Sequence, residues 1–166
     1  MKRGNLRQPP TRVKRNPLNS TPVNDLRLSN AQRRVLAALP DRLDVARIDR
    51  IWIFPPHVHR TRETGLVAIS LLPAPQHETS QRSLLTLRYE ANPSTGRPLR
   101  EPELAEEGRA PPEHIERVIA GVLARSPDPT GDPALVTIAG EADRWQGFQE
   151  SAKLADLTDE VENYYR

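Results

Sequence analysis

The sequence predicts an α+β protein: a helix, an antiparallel meander of three to four strands, an amphipathic helix packed on one sheet face, and a further C-terminal helix. Two observations carry this. Apolar segments at residues 48–54, 66–72 and 84–89 follow one another with only Pro, Gly or polar clusters between them. That spacing leaves no room for the crossovers that parallel strands require. Downstream, Ile115, Val118, Ile119, Val122 and Leu123 recur at i, i+3, i+4, i+7 and i+8. This is the stripe of a helix wide enough to cover a sheet.

The elements follow in order. Residues 1–28 hold Pro9, Pro10, Pro17 and Pro22 with no apolar periodicity, and read as a disordered basic arm. Residues 29–155 read as a single domain and 156–166 as a frayed polar tail. Ser29 or Asn30 is positioned to cap a first helix that buries Val35, Leu36 and Leu39 and is interrupted at Pro40. In the first strand Ile51 and Ile53 take one face, Trp52 and Phe54 the other. The second strand is apolar on both faces and suits the sheet centre. In the third, Leu85, Leu87 and Tyr89 alternate with Thr86, Arg88 and Glu90, giving one apolar and one solvated face. That apolar face is the one expected to meet the helix of Ile115 to Leu123. Residues 99–104 offer a fourth, edge strand, and 135–138 a short one. Pro112 stands where the first residue of a helix belongs. Residues 141–154 read as the last helix, with Trp145 and Phe148 as anchors.

A net charge of +2 conceals a division. Residues 1–28 set Lys2, Arg3, Arg7, Arg12, Lys14, Arg15 and Arg27 against Asp25, a balance of +6, which leaves −4 for the remainder. A basic nucleic-acid surface is therefore not a property of the domain as a whole. Lys2, Arg3, Arg7, Arg12, Lys14 and Arg15 are the candidate polyanion contacts, through nonspecific electrostatics. No cysteine is present, which excludes disulfides and thiolate chemistry. No apolar run approaches the ~20 residues that span a bilayer, and the positive N-terminus has no apolar core of a secretory signal. These features point to the cytoplasm and away from a membrane.

Helix, meander and helix follow one another in an order similar to that of small secretion-chaperone-like folds and of double-stranded-RNA-binding domains. The latter carry a Lys-rich start to the helix after the sheet, whereas Ala110-Pro-Pro-Glu-His114 is acidic there. The residues assign the chain to no family.

Candidate chemistry is sparse. His57 and His59 point the same way in an extended segment and suggest a metal pair. The nearest ligands in sequence, His77 and Glu78, fall at the other end of the sheet, roughly 20 Å off at ~3.3 Å per residue. His114 is a possible third ligand, while Arg60 and Arg62 beside the pair oppose a cation. The 55–64 segment reads as a solvated loop. No nucleophile elbow, phosphate loop or zinc-protease helix is present, so neither a cofactor nor a metal is expected. Trp52, Phe54 and Arg88 are the candidate partner-binding residues. The two aromatics are either covered by a helix or exposed as a platform for a protein, a second copy of the chain, or stacked single-stranded nucleic acid. The expected function is a non-enzymatic macromolecule-binding or adaptor domain. The alternatives are a nucleic-acid-associated protein using the basic arm, and an enzyme whose site leaves no local pattern.

Overall fold

The computed structural model describes residues 26–74, 80–125, 131–138, 149, 150 and 153. They form an α+β structure with two helices, α1 (Asn30–Ala37) and α2 (Ile115–Ala124), and six strands. The strands are β1 (Ile48–Ile53), β2 (His57–His59), β3 (Arg62–Leu71), β4 (Arg82–Ala91), β5 (Glu103–Ala110) and β6 (Ala134–Thr137). The sheet order is β5-β4-β3-β1-β6 with every neighbouring pair antiparallel, and β2 pairs only with β3. The expectation of three to four strands is thus corrected to six. No helix among the described residues is long and apolar enough to cross a membrane.

Local chemistry explains the ends of α1. Ser29 Oγ accepts from Gln32 N, and Gln32 Oε1 accepts from Ser29 N, so a reciprocal capping box satisfies two of the orphan donors. Beyond Ala37 the chain passes into a 3-10 turn, Leu39–Asp41, where Pro40 removes a donor. Before α2, Pro112–His114 form another 3-10 turn.

Helices cover both faces of the sheet. On one, Leu36 and Leu39 pack with Ile51, Ile69, Leu85, Leu87 and Val136. On the other, Ile115 and Ile119 pack with Trp52, Phe54, Leu66, Leu84 and Leu135. The face expected for the amphipathic helix is therefore corrected: Leu85, Leu87 and Tyr89 lie on the α1 side, and α2 covers Trp52 and Phe54. The short connection 111–114 decides this. Ala110, the last residue of β5, already belongs to the α2 cluster, so the chain turns directly onto that face. Thr86 is buried there as well, and its hydroxyl donates to Glu107 Oε2 at 2.6 Å.

β5 forms one edge of the sheet and carries charge along its length. A bulge opposite Leu84 and Leu85 leaves Glu107 as an extra residue, which turns to Thr86 and to Arg125 (3.3 Å). Charge and a bulge together discourage edge-to-edge pairing. Of the expected last helix, Gln149, Glu150 and Lys153 are helical, while its anchors Trp145 and Phe148 lie outside the described residues.

Candidate functional site

After β1 the chain breaks at Pro55-Pro56 and resumes as β2, which pairs with the start of β3 to make a hairpin whose β3 arm is itself paired with the end of β4, Glu63 with Ala91 and Thr64 with Glu90. His57 pairs with Thr64, Val58 with Glu63 and His59 with Arg62. The turn is Arg60-Thr61, with Arg60 at φ 58°. That left-handed conformation normally falls to Gly or Asn, and an arginine there costs about 1–2 kcal/mol. All six residues from His57 to Arg62 are exposed, and Val58, at 54 %, is one of two large apolar side chains turned to solvent among the described residues.

The root of the hairpin is the opposite of its tip. Glu63, one residue into the ladder, is 1 % exposed. Its Oε2 accepts from Ser29 Oγ at 2.6 Å and from Tyr89 Oη at 2.8 Å. Gln32 Nε2 donates to the Phe54 carbonyl at 3.0 Å, tying the same end of α1 to the last residue before Pro55. The Glu63 carboxylate lies at the N-terminal end of α1, where the helix dipole favours negative charge. Gly65 leaves room for the Tyr89 ring, since a Cβ there would collide with it. A buried anchor and an unburied tip make a finger held at its base.

Burial raises the Tyr89 phenol above the ordinary tyrosine range, and the neighbouring Glu63 charge and hydrogen bond push it further. Ordinary tyrosine ionises near pH 10, and Tyr89 in the unfolded chain does so too. The folded state holds the neutral form, so its stabilisation is complete below pH ~10 and is lost as pH rises above that. Stability is expected to fall by about 1.4 kcal/mol per pH unit from this residue. Urea unfolding at pH 9 and above checks it: Tyr89→Phe should reduce the slope by one proton, and an unchanged slope would refute the assignment.

Around the finger the charge is positive. His57, His59, Arg60 and Arg62 meet no acidic residue between 55 and 62. On the α2 side of the sheet, Arg62 Nη1 and Arg100 Nε both pair with Glu90, at 3.2 and 2.7 Å. Two guanidiniums sharing one carboxylate leave a surplus of one positive charge. Arg88 stands one row further in, opposite Leu66 on β3 and Glu103 on β5.

The other sequence candidates separate. Trp52 and Phe54 are 3 % and 1 % exposed beneath α2, so they are core residues and present no platform. The Arg50 guanidinium lies 5.1 Å from the Trp52 ring centre and donates to the Pro112 carbonyl, closing that end of the face. Lys2, Arg3, Arg7, Arg12, Lys14 and Arg15 lie outside the described residues, as do His77 and Glu78. His57 and His59 share one side of β2, while His114 sits exposed in the turn before α2. Among the described residues no group of three or more His, Cys, Asp or Glu side chains is placed to hold a metal ion.

Sequence reading missed two parts of this site. The segment taken as a solvated loop is a regular hairpin, signalled only by Pro55-Pro56 and the alternation of His57 and His59. Glu63 gave no signal, because its partners Ser29 and Tyr89 stand 34 and 26 residues away. Comparison with known proteins adds no family: no family model matches the chain, and no curated protein or solved structure matches it.

Proposed function

We propose that this is a macromolecule-binding protein that performs no chemistry and engages an acidic protein partner through the β2–β3 hairpin. One observation carries the reading: six consecutive exposed residues form a regular element that buries none of its own side chains, yet is fastened to the core at Glu63. A two-stranded ribbon alone is marginal in water, and this one is held at its base, where Glu63 and Thr64 also pair with β4. Val58 offers an apolar anchor, and Arg60, Arg62, His57 and His59 form a basic rim, the mixture that protein interfaces favour over a purely electrostatic contact. Among the described residues β2 has one ladder partner, so its outer edge offers backbone donors and acceptors to an added strand. A second reading, nonspecific nucleic-acid contact, is favoured by the +6 balance of residues 1–28.

Capture from native lysate with the full chain, with and without nuclease, separates the two. The expected partner survives nuclease and is lost with Val58→Ser or Arg60→Gly. Arg60→Gly removes the positive-φ cost of a side chain at the turn, so it should leave stability unchanged or raise it by up to about 1 kcal/mol. A variant that folds as well as the parent and binds less isolates contact from structure. If the captured set is unchanged by either substitution, or vanishes with nuclease, the hairpin reading fails.

A further inference from the structure

The connection between β4 and β5 is pinned to α1 and to the turn that follows it, at both of its ends. Asn30 Nδ2 donates to the Ser94 carbonyl at 2.9 Å and Arg34 Nε to the Thr95 carbonyl at 3.0 Å. Gly96, at φ +76°, rests against the backbone of Asn30 and Ala31. At the other end Arg42 Nη1 donates to the Pro102 carbonyl at 2.6 Å. Between these fastenings residues 97–99 pair back onto the end of β4, with Pro98 opposite Ala91 and Leu99 N donating to the Glu90 carbonyl at 2.9 Å, and a cavity of about 150 Å³ is left between the connection, α1 and β4. Its walls include Val35, Ala38, Leu39, Leu87, Pro98 and Pro102, with Arg34, Arg42 and Glu101 also on the lining. A gap bridged at both ends and stiffened by two prolines cannot close by a simple collapse of the loop. Walls held in place before a ligand arrives reduce the ordering cost of binding.

The dimensions and chemistry select a ligand. A largely apolar cavity of this volume accepts a body of benzene size, about six non-hydrogen atoms. Arg42 is exposed, gives one N–H to Pro102, and has no carboxylate within salt-bridge distance among the described residues. A guanidinium carries five donors, so most of this fork remains for an anion. Glu90, which also borders the cavity, is engaged by Arg62 and Arg100. We propose that this cavity binds a small amphipathic carboxylate, an aromatic or branched acid of benzoate size. Its apolar body lies against Leu39 and Leu87, and its carboxylate is held by Arg42. The proposal does not rest on the role of the exposed hairpin tip, although Tyr89 and Glu90, which also line the cavity, meet the hairpin's Glu63 and Arg62.

Methyl-resolved NMR titration of the full chain tests this with three probes: benzoate, the neutral benzyl alcohol, and acetate, which lacks the apolar body. Benzoate should shift the methyls of Val35, Leu39 and Leu87 saturably, and acetate should not. Arg42→Gln, at an exposed position, should weaken benzoate by about tenfold, the worth of a charge-assisted pair, and leave benzyl alcohol unchanged. Ala38→Phe should fill the cavity and abolish both; if it disrupts α1, Arg42→Gln still decides. Equal responses to benzoate and acetate, or benzoate binding unaffected by Arg42→Gln, would overturn the proposal.

Discussion

Trp52→Ala lowers the stability of the protein by about 3–5 kcal/mol, the cost of removing a large aromatic from a core that relaxes only in part. The side chain is 3 % exposed and packs with Phe54, Leu66, Ala68 and Leu84 under Ile115 and Ile119. Its loss empties the middle of the α2 face and also removes the ring beneath the Arg50 guanidinium, whose contact at 5.1 Å adds a smaller share. Equilibrium unfolding in urea measures the change. A shift below about 1 kcal/mol, the range of surface substitutions, would contradict the burial and return Trp52 to the surface as a contact residue.

Gly96→Ala is the second large effect, at about 2–5 kcal/mol, from two causes that add. A side chain at φ +76° costs about 1–2 kcal/mol, and overpacking costs a further 1–3. The new methyl would meet backbone atoms of Asn30 and Ala31, which cannot turn aside as the end of a flexible side chain would. Gly96 N also donates to the Asn92 carbonyl at 2.7 Å, and Asn92 Oδ1 accepts from Ser94 and Thr95, so the tight turn has no slack to move away. The substitution should free the 92–102 connection from α1 and erase the cavity beside it. Denaturant titration reads the stability, and the methyl signals of Val35 and Leu87 read the detachment. A stable variant with unchanged methyl shifts would show that the connection is not seated on α1 as described.

The α+β class was legible because its strongest signals are physical necessities. Long runs such as Leu66 to Leu71 must be buried on both faces, and the stripe from Ile115 to Val122 must cover something. Which face it covers was not legible. A helical stripe records that a sheet lies beneath it, while the choice between the Trp52 face and the Leu87 face is made by the short turn after Ala110. β5 escaped definition because an edge strand reading Glu-Leu-Ala-Glu-Glu-Gly-Arg-Ala carries little apolar alternation and a bulge besides. Residues 99–104 overlap only its start. β2 escaped for the converse reason: a strand that buries nothing has no burial pattern to read. The site was less legible than the fold. His57, His59, Arg60 and Arg62 were noted as a group, but their presentation on a finger depends on Glu63 meeting Ser29 and Tyr89, and long-range hydrogen bonds leave no periodicity in a sequence.

Hydrogen–deuterium exchange on the complex captured by the full-length protein tests the hairpin as contact element most directly. If residues 57–63 meet the partner, their amides gain protection in the complex while β4 and α2 are unchanged. Protection gained only within residues 1–28, with the hairpin exchanging as in the free protein, would contradict it.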